Sequence, residues 1–211
     1  MADERRPSSP THLPARDRLI VLCLAPPAWS PPGVDPHTWR SALAEDAVDL
    51  LATLAEVTPA VAVAPVDHAL AEAIVWPGMP VYPLPRLTSG TIFAAASADG
   101  YRQAAIIAAD APDLPAMMIG KLLRPLSTRP VAVAPASTGG LLGLAARLPA
   151  PAWLPPLDLA ADVADVRAAA PEPGLVGAGT GWHRLTGPDA LARLDPGLEG
   201  WARTRELLTG R

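Results

Sequence analysis

Ala104-Ala105-Ile106-Ile107-Ala108-Ala109-Asp110-Ala111-Pro112-Asp113-Leu114-Pro115-Ala116-Met117-Met118 is the stretch that decides the fold class. Its first six residues carry no charge and no strict polar alternation, the pattern of a central parallel strand covered on both faces. Asp110 follows directly, at the sheet edge where open α/β folds bind ligands. Pro112 blocks simple continuation of regular structure, Asp113 has the side chain of an N-cap, and Pro115 suits the first turn of a helix. Asp110 is either a turn residue or a ligand for a metal or a phosphate, and spacing alone leaves both open.

Outward from this unit the chain alternates strands and helices. Leu19–Leu24 reads as a first strand, followed by a proline-rich loop from Ala25 to Pro36. Thr38 could cap a long amphipathic helix, in which Leu43, Ala47, Leu50, Leu51 and Leu54 recur at helical spacing until Thr58-Pro59. Ala60–Ala64 forms a second strand, with a short helix over Asp67–Val75 and an extended Pro80–Leu84 behind it. A helix over Ile92–Ala98 leads into the strand ending at Asp110. The helix Pro115–Leu126 and the strand Pro130–Ala134 come next. This order implies a mostly parallel sheet with helices on both faces, a three-layer α/β/α sandwich. Further on, Leu141–Ala146 is a strand or the start of a helix. Pro149–Pro156 is a proline-rich stretch containing Trp153, and Leu159–Ala169 is helical. Leu175–Ala178 is a late strand, with short helices over Pro188–Leu194 and Leu198–Leu208.

Composition narrows the function classes. The 211 residues suffice for one sizeable α/β domain, placed at 18–211 behind a disordered leader at 1–17. Proline makes up 27 of the 211 residues, well above the roughly 5% of average usage, so loops should be stiff and helices short. A net charge of −4 and a pI near 5.5 argue against a nucleic-acid surface, which needs a basic stripe. Cys23 is the single cysteine, which excludes an intramolecular disulfide and a thiolate zinc site. No apolar stretch reaches the length of a membrane span, and Met1–Arg18 lacks a secretory apolar core, so the chain reads as cytoplasmic. Leu and Trp residues in the proline-rich stretches are compatible with a homodimer.

Two segments carry a family resemblance: Ala108-Ala109-Asp110-Ala111-Pro112-Asp113-Leu114-Pro115 and Pro135-Ala136-Ser137-Thr138-Gly139-Gly140-Leu141-Leu142-Gly143-Leu144. They resemble the Gly-Ser-Asp-x-Pro-x-Leu-Pro and Pro-Ala-x-Asp-Gly-Gly-Tyr-x-Leu-x-Gly motifs of the radical SAM/selenodomain-associated glycosyltransferase-like family of nucleotide-diphospho-sugar transferases. That family is related to 2-phospho-lactate guanylyltransferase and molybdopterin-guanine-dinucleotide synthases. The resemblance implies a GT-A-like, Rossmann-related fold that binds a nucleotide or nucleotide-sugar and a small-molecule acceptor. It implies Mg²⁺ or Mn²⁺ held by Asp110, bridging phosphates and neutralising charge on the leaving group. Gly139 and Gly140 would let backbone approach the ligand closely, or else form a turn. Ser89-Gly90-Thr91 stands where relatives carry a polar loop near the nucleotide, and Ser89 or Thr91 serves equally well as an N-cap.

The sequence departs from the family in three places. Relatives carry Lys-x-Pro-x-x-Gly-x-x-Lys-Thr-Arg after the first strand. This chain has Leu24-Ala25-Pro26-Pro27-Ala28-Trp29-Ser30-Pro31-Pro32-Gly33, which puts Ala25 and Pro26 at the nucleotide and leaves Arg40 as the nearest downstream cation. Charge-assisted hydrogen bonds are worth about 1.5–3 kcal/mol each, so phosphate binding needs compensation, for which Arg40, Arg86 and Arg102 are the stand-ins. Thr138 replaces the acid of Asp-Gly-Gly. The late Asp-x-Asp-Thr falls near Trp182-His183-Arg184-Leu185-Thr186, which has no carboxylate; His183 is there either a metal ligand or a satisfied histidine. Two functional readings follow: a divergent nucleotidyl- or glycosyltransferase, and a catalytically inactive homologue that binds a ligand or partner.

Overall fold

The computed structural model describes residues 16–210. The leader expected over residues 1–17 lies outside them except for its last two residues, Arg16 and Asp17, which open the first strand. Among the described residues seven strands form one sheet: β1 (Arg16–Cys23), β2 (Thr58–Val63), β3 (Val81–Pro83), β4 (Tyr101–Ala108), β5 (Val131–Pro135), β6 (Leu141–Arg147) and β7 (Val176–Ala178). Their order is β3-β2-β1-β4-β6-β5-β7. Val21 pairs in parallel with Ala60 on one side and Ile106 on the other. Only β6 runs against its neighbours, Ala145 facing both Ala105 and Ala132. The cause is the short connection between Pro135 and Leu141, closed by Ala136 N–H donating to the Gly140 carbonyl at 2.9 Å. A parallel crossover needs a dozen residues or more, so β6 returns antiparallel to β5, and the segment expected as a strand or the start of a helix is a strand paired on both sides.

Helices cover both faces. On one side α1 (Pro36–Ala52), α2 (His68–Ile74) and α4 (Ala116–Leu123) pack on Ile20, Leu22, Val61, Ala105 and Ile107. On the other α3 (Ser89–Ala98), α5 (Val163–Ala169) and the proline-rich segment after β6 cover Leu19, Val21, Ile106 and Val133. Successive strand residues are thus buried on opposite faces, which is why these strands are apolar throughout. A third small core holds the chain's end to α1: Trp39, Leu43, Leu185 and Ala190, beside Leu207 and Leu208. It joins α6 (Pro188–Leu191) and α7 (Ala202–Thr209) to the sandwich. Asp46 of α1, buried, accepts from the backbone N–H groups of Arg203 (3.0 Å) and Thr204 (2.8 Å), satisfying orphan donors in the first turn of α7. No helix among the described residues is long and apolar enough to cross a membrane.

Local chemistry shifts several expected boundaries. Asp35, not Thr38, caps α1, accepting from Thr38 N–H at 2.8 Å with Pro36 in the first turn. Thr88 caps α3 in a box with Thr91, leaving Ser89 inside the helix. Asp113 caps nothing: Pro115 precedes α4 without a side-chain cap, and the Asp113 carboxylate turns to the C-terminal segment instead. The helix expected from Leu159 begins only at Val163, because Asp162 and Asp165 form its capping box. The C-terminal helices shrink to Pro188–Leu191 and Ala202–Thr209.

Candidate functional site

At the carboxyl ends of β1 and β4 lies a cavity of about 240 Å³, with Cys23, Ala25, Pro26, Arg40, Asp110 and Arg184 in its wall. Pockets for drug-sized ligands run to about 300–1,000 Å³, so this one is small. The rest of the wall is mostly apolar, and Asp158 stands at it with Leu159 and Ala160. Four residues expected at the site, Ala25, Pro26, Arg40 and Asp110, therefore do line one cavity.

Asp110 is buried, and Arg184 occupies both of its oxygens: Nε donates to Oδ1 at 2.6 Å and Nη2 to Oδ2 at 3.0 Å. The two side chains are 7% and 15% exposed, so solvent screens the pair little. Nη1 of Arg184 donates to the carbonyls of Leu141 (3.1 Å) and Leu159 (2.9 Å). A guanidinium has five N–H groups, which leaves one on Nη2 uncommitted. The backbone is fixed as tightly. Thr138 Oγ1 accepts from Arg184 N–H and donates to its carbonyl, and Leu185 N–H donates to the Asp110 carbonyl at 2.7 Å.

Gly140 belongs to the same arrangement. Its φ is +76°, and a Cβ there would lie 2.7 Å from the Leu159 carbonyl oxygen. The close approach this glycine permits is to the chain's own Leu159–Ala160 segment, which carries a carbonyl to Arg184. Gly139, with φ +97° and open space around it, completes the hairpin turn. Neither glycine lines the cavity, nor do Thr138 or His183. Ser89, Gly90 and Thr91 also stay off it. Ser89 Oγ donates to the Pro155 carbonyl and accepts from Leu157 N–H, and Gly90 backs onto Pro156, where a Cβ would come within 3.1 Å. The first turn of α3 thus clamps the proline-rich segment, which continues into Asp158–Ala160 at the cavity wall.

Asp110 and His183, the two residues expected around a divalent cation, face different partners. His183 is buried with Nε2 2.9 Å from Asp113 Oδ1, off the line that a ring N–H hydrogen bond needs, and it stacks on Trp182 at 5.0 Å. The Asp113 carboxylate instead accepts from Trp182 Nε1 and from Asp195 N–H, both at 3.2 Å. Among the described residues no three His, Cys, Asp or Glu side chains gather as a metal site. A divalent ion about 4 Å from a guanidinium would be repelled by about 8 kcal/mol at an effective dielectric near 20. The residues at Asp110 do not fit Mg²⁺ or Mn²⁺.

The remaining candidate cations are either engaged or lie away from the cavity. Arg40 Nη2 donates to the Leu24 carbonyl (2.7 Å) and pairs with Asp67 (2.8 Å). Arg102 pairs with Asp17, and Arg86 does not reach the cavity. Lys121, the one lysine, lines a separate, more open groove with Arg124 and Arg129. Within the cavity wall Arg40 and Arg184 balance Asp110 and Asp158. Burial pushes the Cys23 thiol up to about 11, so it adds no charge.

The sandwich matches solved structures over nearly its whole length. A candidate nucleotide-diphospho-sugar transferase from Desulfovibrio desulfuricans G20 superposes with a TM-score of 0.62 at 20% identity, over 91% of this chain and 95% of that one. The 4-diphosphocytidyl-2C-methyl-D-erythritol synthase of Anaerococcus prevotii DSM 20548 gives 0.57 at 11% identity, over 92% and 96%. The fold is that of the GT-A-like nucleotidyl- and sugar-transferases. Glucosyl-3-phosphoglycerate synthase from Mycobacterium tuberculosis, solved with Mn²⁺, UDP-glucose and phosphoglyceric acid, shares it at a TM-score of 0.53 and 16% identity, over 92% of this chain and 77% of that one. No protein-family model matches the chain, and no curated protein matches it by sequence. Within this GT-A-like frame, Asp110 was readable at a strand end. Arg184 was missed, although it lies in the five residues where carboxylates were expected; a cation in their place was the available signal.

Proposed function

We propose that the chain is a nucleotidyl- or glycosyltransferase-like protein that binds a nucleotide or nucleotide-sugar in the cavity between β1 and β4. The observation that carries this reading is the convergence of Ala25, Pro26, Arg40 and Asp110 on one cavity at the carboxyl edge of a mostly parallel sheet. Ala25 and Pro26 would pack against the base or sugar, while Arg40 and the Asp110–Arg184 pair would supply the charged part of the wall. The alternative of a binding protein without catalysis is favoured by one feature: both Asp110 oxygens already face Arg184. Thermal-shift titration with nucleosides, nucleotides and nucleotide-sugars, with and without Mn²⁺, tests the reading. Stabilisation by one base family, lost when Ala25→Trp fills the cavity, is the expected result. No shift across the panel refutes it, and turnover of a nucleotide-sugar would set the transferase above the silent binder.

A further inference from the structure

We propose that Arg184 is a built-in cation standing in place of a divalent metal at Asp110, so that the cavity binds the vicinal hydroxyls of a ribose or free sugar, on a ligand of low charge, without metal. This rests on the cavity being the ligand site and narrows what enters it.

Three positions that depart from or carry the family motifs converge on this arginine. Asp110 takes its side chain in a two-oxygen fork, Thr138 holds its backbone, and Gly140 admits the Leu159 carbonyl that accepts from Nη1. Bidentate guanidinium–carboxylate pairing fixes orientation as well as charge, as a coordinated ion would. A metal is also what lets such a site tolerate a polyphosphate. Among the described residues the cations of the wall are already paired: Arg40 with Asp67 and the Leu24 carbonyl through Nη2, and Arg184 with Asp110, while Lys121 lies in another groove. The formal charges in the wall cancel. What remains on offer is hydroxyl chemistry. Asp158, whose Oδ1 accepts from Ala160 N–H, keeps its other oxygen for a ligand, and Arg184 keeps one N–H. Carboxylates accepting from ribose hydroxyls are a recurrent solution in α/β folds. The cavity's 240 Å³ suits a compact nucleoside or sugar better than an extended triphosphate.

The test compares nucleosides, their 5′-mono-, di- and triphosphates and free hexoses as thermal-shift probes of the full chain, each in EDTA and in Mn²⁺. Expected are shifts equal in both conditions, shrinking with every added phosphate and lost in Asp158→Ala; the hexose arm separates sugar from nucleoside. A shift that requires Mn²⁺ or grows with phosphate number overturns this inference and leaves the nucleotide reading standing. No shift with any probe ends both the nucleotide reading and the ligand half of this one. The cation half is then decided without ligand, by electron paramagnetic resonance of added Mn²⁺. Wild type should leave the free-ion signal intact, while Arg184→Asp, which creates a carboxylate pair, should deplete it. Depletion by wild type that disappears in Asp110→Asn overturns the proposal, and this holds even if Arg184→Asp does not fold.

Discussion

Replacing Arg184 by methionine keeps the length of the side chain and removes its charge, which isolates the ion pair from packing. Asp110 would then be a carboxylate 5% exposed with no opposite charge at its oxygens. Breaking a buried pair from one side costs about 3–5 kcal/mol. The lost bonds to Leu141 and Leu159 add little, since the Leu159 carbonyl still accepts from Leu141 N–H at 2.9 Å. For a domain of this size each kcal/mol moves Tm by about 2–4 °C, so Arg184→Met should melt about 6–20 °C below wild type. Urea unfolding followed by tryptophan fluorescence measures the free energy. The double variant Asp110→Asn, Arg184→Met should cost at least about 1.5 kcal/mol less than the sum of the singles, because the stranded charge is gone. An Arg184→Met loss under about 1 kcal/mol, the range of exposed pairs, together with additive singles, would refute the account of Arg184 as the organising cation.

Other consequences can be measured independently. Gly140→Ala should destabilise by at least about 1–2 kcal/mol, from the positive φ alone, and should reduce any ligand-induced shift by displacing Leu159–Ala160; an unchanged urea midpoint contradicts it. Asp46→Ala should expose the amides of α7 to faster hydrogen exchange and cost about 1.5–3 kcal/mol, while exchange at wild-type rates would mean that α7 does not need this cap. Burial raises the Asp46 carboxyl above its usual 3.8, hydrogen bonds from Thr204 and Arg203 offsetting part of this. Its folded pKa lies above the unfolded one, so its contribution is complete below the unfolded value and is lost as pH rises through the folded value. Wild type's advantage over Asp46→Asn should therefore narrow from pH 4 to pH 7, and a widening gap would reverse the sign. Cys23, with its thiol pushed up to about 11, should react with a disulfide reagent at pH 8 far more slowly folded than in urea; equal rates would place it outside the core.

The sheet was legible because its strands are buried on both faces, which writes them as uninterrupted apolar runs: Leu19–Leu24, Ala60–Ala64 and Ala104–Ala109 need no alternation to be recognised. Element ends were less legible, since a cap is chosen by geometry among several competent neighbours. Asp35 and Thr38 both carry oxygens, and Pro36 in the first turn decides between them. Asp113 fails as a cap because Trp182 and Asp195, distant in sequence, claim its carboxylate. Leu141–Ala146 stayed ambiguous between strand and helix because a short run of apolar residues carries no period that separates the two, and pairing on both sides makes it a strand.

The site was half legible for a related reason. Residues that act from a strand end, such as Asp110, announce themselves by position, and the loop after β1 could be placed by order alone. Arg184 comes from a segment with little regular structure, and its partner is 74 residues away, so no spacing rule joins them. Charge bookkeeping could have joined them. A family pattern that keeps its first carboxylate, loses the late ones and gains a cation in their place leaves Asp110 to be neutralised in a buried position. An unpaired buried carboxylate is too costly to persist, so the new cation must go to it. The three departures in the sequence are in this view one change. On the proposal that Arg184 stands in for an ion, the acid of the resembled motif would have no metal to serve, and Thr138 in its place holds the Arg184 backbone. On the same proposal the lysines of the resembled loop, absent from this chain after β1, would have no metal-bound polyphosphate to receive.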